Sequence, residues 1–237
     1  MDIKAVLKTA TQDYKIELDD AKLIKFEKYF NLLVEWNEKM NLTAITDVYG
    51  VAVKHFADSL TFFNYIDVPN NASIIDVGTG AGFPGVVLKI ARPDIKLTLL
   101  DSLNKRLNFL NVVLENLGLE ANLVHSRAEE GAKNAKYREK YDFAVSRAVA
   151  RLNVLGEYCL PYVKLGGRFV ALKGPDAEDE VISAKSAIAQ LGGKVSSINN
   201  FNLPNDAGNR VIVCVDKIKS TPKQFPRTSQ KIKNNPL

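Results

Sequence analysis

The stretch Ile74-Ile75-Asp76-Val77-Gly78-Thr79-Gly80-Ala81-Gly82-Phe83-Pro84-Gly85 decides how this chain is read. A short apolar run meets a cluster of glycines, and a helical apolar pattern follows over 85–91. That order is strand, tight turn, helix. In doubly wound α/β sheets, ligands bind at such turns, at the carboxyl ends of the strands. Glycine serves there because the backbone must turn tightly and let a ligand lie almost against it.

Outward from this turn, short apolar runs alternate with amphipathic stretches. Strands are predicted over 73–77, 96–100, 121–124, 141–145 and 168–172, and helices over 85–91, 104–117, 154–163 and 176–191. Leu107, Leu110, Val113, Leu114 and Leu117 share one side of their helix, and Gly118 is its stop signal. Strict alternation of this kind argues for a parallel sheet with helices on both faces. Two further strands, over 195–201 and 210–215, follow each other with no helix between and so pair antiparallel. The prediction is a Rossmann-like, seven-stranded, mostly parallel sheet ending in an antiparallel hairpin, the usual shape of class I methyltransferases.

Residues 1–71 read as an N-terminal helical extension, with Asp19 or Asp20 capping a helix that carries Leu23, Phe26, Phe30, Leu33 and Val34. A second helix is expected over 48–65. Residues 72–217 make the sheet domain. Residues 218–237 form a basic tail, expected to be extended and flexible because it combines Lys219, Lys223, Arg227, Lys231 and Lys233 with three prolines and no acid.

Composition sets broad limits. With 237 residues, 46% of them hydrophobic, the chain has a core of its own. A net charge of +5 permits a polyanionic partner without requiring one. Cys159 and Cys214 match no metal-ligand spacing and read as reduced, buried thiols. No run approaches the length of a membrane span, and no signal peptide is visible, so a cytoplasmic protein without metal or membrane partner is expected.

The glycine loop admits two cofactor classes. A dinucleotide site wants Gly-x-Gly-x-x-Gly, but Phe83 occupies the third glycine position. The spacing found here, Gly78-x-Gly80-x-Gly82 with Asp76 before it, suits S-adenosylmethionine, whose ammonium needs acceptors rather than phosphate donors. Gly78, Thr79, Gly80, Gly82 and Phe83 are therefore candidate cofactor contacts. Asp101 ends the second strand, where a carboxylate accepts both hydroxyls of an adenosine ribose; it fits NAD equally, and a helix cap as well. Residues 125–130 follow the third strand and border an adenine in this fold, although Glu129 and Glu130 read equally as a solvated helical turn.

Ser146-Arg147-Ala148 follows the fourth strand, which faces the transferred methyl group. Amino-methyltransferases carry Asn-Pro-Pro-Tyr or a variant there, and no general base is evident. One target fits that absence: guanine N7 has a free lone pair and needs no deprotonation, so proximity and alignment suffice. His55 and His125 read as structural.

With Trp36-Asn37, Asn41-Leu42-Thr43, His55-Phe56-Ala57-Asp58-Ser59, the glycine loop, Asp101-Ser102 with Lys105-Arg106, Arg127-Ala128-Glu129, Ser146-Arg147-Ala148 and Leu172-Lys173-Gly174, the chain resembles the glucose-inhibited division protein B family, bacterial 16S rRNA guanine-N7 methyltransferases. The resemblance implies cofactor contacts at Gly78, Phe83, Ala128, Glu129 and Arg147, and a target guanine in the 530 loop of 16S rRNA. Lys105, Arg106, Arg127, Lys173 and the tail become candidate RNA contacts on naked rRNA or the small subunit, with a monomer favoured. Asn41 or Ser146 is the candidate for orienting guanine O6. Arg147 is expected on the methionyl carboxylate or an RNA phosphate, since a guanidinium over N7 opposes the charge that methylation creates there.

Overall fold

The computed structural model describes residues 1–175 and 177–237. Five parallel strands, β1 (Ser73–Val77), β2 (Lys96–Asp101), β3 (Asn122–His125), β4 (Tyr141–Arg147) and β5 (Val163–Lys173), alternate with helices α6 (Gly85–Ala91), α7 (Asn104–Leu117), α8 (Ala128–Gly131) and α9 (Leu152–Cys159). After α10 (Ala177–Gln190), β6 (Gly193–Asn202) and β7 (Asn209–Lys217) form the hairpin. The sheet order is β3-β2-β1-β4-β5-β7-β6, with β7 antiparallel to both its neighbours. The order reverses between β1 and β4, which opens a crevice at their carboxyl ends. The expected helix start at Asp176 lies outside the described residues. β5 begins earlier than predicted, because Gly166 (φ +79°) lets the strand bend instead of breaking it.

Five helices precede the sheet: α1 (Ile3–Ala10), α2 (Asp20–Met40), α3 (Val48–Gly50), α4 (Asp58–Leu60) and α5 (Phe62–Tyr65). Asp19 caps α2 by accepting from Lys22 N–H at 2.8 Å. Between α3 and α4 the chain runs as a π-helix, Val51–Ala57, inside the single helix predicted for this region. Alternate residues of each strand feed two cores. On one face Ile74 and Leu99 meet Phe26, Tyr29, Leu33, Phe56 and Leu110, so the N-terminal extension shares the core of the sheet. On the other, Ile75, Val77 and Ala144 meet Leu155, Val181 and Ile188.

The tail departs from expectation. Helix α11 (Ser229–Asn234) lies against α9, with Phe225 and Ile232 buried in the second core. Arg227 grips Glu157, a fully buried carboxylate of α9, through Nε at 3.0 Å and Nη2 at 2.7 Å. Arg138 holds the carbonyls of Thr221 and Phe225, each at 2.8 Å. Lys217 is wholly buried, its ammonium on Leu160 O, Thr221 Oγ1 and Glu139. Two apolar anchors and one buried counter-ion outweigh the disorder that charge and proline content suggest.

Candidate active site

A cavity of about 850 Å³ opens at the carboxyl ends of β1, β2 and β4. Its floor is the glycine loop. Gly78 (φ +73°) and Gly80 (φ +60°) take conformations that L side chains rarely adopt, and a Cβ on Gly78 would strike Val149. Asp76 underpins the loop: its Oδ2 accepts from Thr79 Oγ1 at 2.7 Å and Gly85 N–H at 2.8 Å. Its Oδ1 is buried without a partner among the described residues. Burial pushes this carboxyl up to about 6, against the pull of the Thr79 and Gly85 hydrogen bonds.

Gly82 is not in the cavity wall. A side chain there would meet the Tyr29 hydroxyl and Leu110, so this glycine serves packing of the N-terminal extension and not a ligand. Tyr29 in turn donates to Ala81 O at 2.5 Å, which couples α2 to the cofactor loop.

Asp101 lies 2% exposed at the cavity wall. Its Oδ2 accepts from Gly80 N–H at 2.9 Å and Arg106 at 3.3 Å, and Oδ1 from Leu103 N–H at 2.9 Å. Each carboxylate oxygen has two lone pairs, so Oδ1 keeps one for a ribose hydroxyl. The expectation that Asp101 takes both hydroxyls holds only if Arg106 moves aside. Ser126, Ala128 and the buried Glu129 line the end of the cavity beside β3. The residues present thus fit an adenosine moiety, with Thr79 and Phe83 also in the wall.

The methyl-facing end is built from β4 and the N-terminal extension. Phe83, His55 and Arg147 cluster together: the Phe83 ring lies 4.6 Å from that of His55 and 4.8 Å from the Arg147 guanidinium. Arg147, expected on the methionyl carboxylate or an RNA phosphate, lines the cavity but is held by groups of the protein itself. Its Nη1 donates to Lys54 O at 3.1 Å, His55 O at 3.4 Å and Asp58 Oδ2 at 3.0 Å, and its side chain is only 13% exposed. Ala148 carries φ +56° and turns the chain away from β4 into the cavity wall. Ser146 is fully buried and donates to Val77 O at 2.8 Å, so its hydroxyl is unavailable to a base. Asn41 ends α2 in left-handed conformation, exposed and outside the cavity; Leu42 and Thr43 line it instead.

The family model of rRNA small subunit methyltransferase G matches residues 22–210. The chain belongs to that family. The proteins named ribosomal RNA small subunit methyltransferase G from Desulforamulus reducens and Brevibacillus brevis are 49% and 51% identical to it, over 95% and 94% of both chains. Among solved structures, a SAM-dependent O-methyltransferase from Thermotoga maritima superposes with a TM-score of 0.54 at 19% identity, over 80% of this chain and 72% of that one. A mutant 16S rRNA (adenine(1408)-N(1))-methyltransferase from Catenulisporales acidiphilia gives 0.53 at 16%, over 65% and 88%. These likenesses show the class I methyltransferase fold.

Of this methyltransferase's expected RNA contacts, Lys105 and Arg127 are exposed, with Arg127 on the cavity rim. Arg106 leans on Asp101. Lys173 is not free for phosphate: it pairs with Glu180 at 2.8 Å and donates to Ala150 O at 2.9 Å, at 10% exposure. Sequence reasoning named the tail as an RNA contact but missed its docking, which places Ser229, Lys233 and Pro236 in the cavity wall. It also missed a side pocket of about 300 Å³ that shares His55 and Arg147 with the main cavity and adds Lys54 and Arg210. Arg210 was legible only as a strand residue, because its partner Asp58 lies far away in the sequence. Among the described residues, no helix is long and apolar enough to cross a membrane.

Proposed function

We propose that this chain transfers the methyl group of S-adenosylmethionine to N7 of a guanine in the 530 loop of small-subunit rRNA. The observation that carries this reading is the methyl-facing end of the cavity. β4 delivers Arg147 and Ala148 there, where an amine-gripping Asn-Pro-Pro-Tyr would stand in a methyltransferase acting on exocyclic amines. N7 presents a lone pair and has no proton to lose, so the site needs alignment and not a base. Family membership supports the rRNA substrate, and the motifs shared with guanine-N7 methyltransferases support the base and its loop.

When bound, the cofactor supplies an electrophilic methyl on a sulfonium. Asp101 would hold the ribose, the bare backbone at Gly78 and Gly80 would admit the methionyl chain, and Ala128 and Glu129 would border the adenine. Arg127 supplies positive charge at the rim, Lys105 is exposed beyond it, and the side pocket adds Lys54. Such contacts make binding weaken with salt.

The atom is checked by borohydride reduction and aniline scission of rRNA treated with enzyme and cofactor. Strand scission at a single guanine of the 530 loop is expected. A methylated guanine that resists scission carries its methyl elsewhere than N7, and the reading fails.

A further inference from the structure

The segment after α2 takes no part in holding the glycine loop, yet its geometry is closely fixed. Asn41 reverses the chain (φ 48°, ψ 56°), and Asn37 Oδ1 accepts the Thr43 N–H at 2.8 Å. Thr43 is thereby set in the cavity wall, near Phe83 and Arg147. Its Oγ1 accepts from Ile45 N–H at 3.1 Å and lies 2.8 Å from His55 Nε2.

A hydroxyl carries one proton and two lone pairs. Two arrangements would satisfy its contact with His55: it donates to a bare Nε2, or it accepts from Nε2–H. Arg147 decides between them. Its Nη2 lies 3.3 Å from His55 Nδ1, and a guanidinium only donates. The cationic guanidinium favours a bare Nδ1, with the ring proton on Nε2, over an Nδ1–H donated to Lys54 O, 3.1 Å away. In that tautomer the Lys54 carbonyl keeps Arg147 Nη1, at 3.1 Å, as its donor. Burial, reinforced by Arg147, lowers the His55 pKa to about 4, so the ring carries a single proton near neutral pH. With Nε2–H and the Ile45 N–H on its two lone pairs, the Thr43 hydroxyl is a donor only. Among the described residues its proton has no acceptor.

We propose that Thr43 reads O6 of the target base and selects guanine over adenine, with His55 and Arg147 as positioning residues that fix its donor state. The proposal rests on the guanine-N7 reading above. On the edge that carries N7, guanine offers a second acceptor, O6, whereas adenine offers the N6 amine, a donor. An ordinary hydroxyl gives or takes a hydrogen bond and fits either base. One locked as a donor pairs with O6 and meets N6 donor to donor, which leaves buried groups unpaired.

The test uses small-subunit particles reconstituted with guanosine, 2-aminopurine riboside (hydrogen in place of O6) or adenosine at the target. Single-turnover transfer is measured for wild type, Thr43→Val and Thr43→Ser, and cofactor affinity by calorimetry. Wild type is expected to slow about ten- to a hundredfold from guanosine to 2-aminopurine, the scale of one lost hydrogen bond with a partner left unpaired. It should leave adenosine unmodified. Thr43→Val should slow by a similar factor on guanosine and lose nothing further on 2-aminopurine, with unchanged cofactor affinity, while Thr43→Ser keeps the wild-type pattern. An equal Thr43→Val penalty on both bases would overturn the proposal, as would a loss of cofactor affinity large enough to explain the rate. The wild-type base comparison needs no mutant to fold. No transfer by wild type to the guanosine particle would overturn the guanine reading, and this proposal with it.

Discussion

His55 and Asp76 show how burial reassigns two ordinary side chains. Burial, then Arg147, lowers the histidine to about 4, while burial raises the aspartate to about 6. The two act on stability with opposite signs. Folding denies His55 a proton that the unfolded chain takes up near pH 6.5, so its contribution is full above 6.5 and is lost as pH falls toward 4. Folding holds on Asp76 a proton that the unfolded chain releases near 3.8, so stability declines as pH rises from 3.8 to 6. We therefore expect the stability difference between wild type and His55→Gln, from urea denaturation, to grow as pH rises from 4 to 6.5 and to stay level above that. A difference independent of pH would mean that the folded ring titrates normally. Neither shift was legible in the sequence. Gly78 and Gly80 announced themselves by spacing within one local stretch and Asp101 by its place at the end of the next strand, whereas the surroundings of His55 come from Thr43, Phe83 and Arg147, which only the fold assembles.

Helices and strands of the sheet were readable because periodicity and stop signals are local: Gly118 ends α7 in left-handed conformation where its position predicted. The tail was not, because composition reports average charge and apolarity and says nothing of a buried acid waiting on another helix. Glu157 waits on α9, and Arg227 meets it; with Phe225 and Ile232 buried beside it, this pair docks the whole segment. Removing one partner of a buried pair strands the other, at about 3–5 kcal/mol. Arg227→Ala is expected to lose about that much in chemical denaturation. Arg227→Met combined with Glu157→Gln should lose clearly less, because no uncompensated charge remains. Since α11 carries Ser229 and Lys233 into the cavity wall, Arg227→Ala should also weaken cofactor binding. Equal stability of the wild type and Arg227→Ala would mean that the apolar anchors hold the tail without the ion pair.

At the scale of the whole molecule, one crevice gathers contributions from every part of the chain. The sheet supplies the glycine loop and Asp101, the N-terminal extension supplies Thr43 and His55, and the tail closes the far wall with Lys233. The extension and the tail thus belong to the site, although the sequence suggested an appendage at each end. On the proposed function, this crevice carries S-adenosylmethionine and passes its methyl to small-subunit rRNA. It is tested by incubating the enzyme with methyl-labelled cofactor and small-subunit particles from cells lacking this protein, then locating the label. We predict label in 16S rRNA at a single guanine of the 530 loop, approaching one methyl group per particle. Particles left unlabelled, or label on another base, would contradict it.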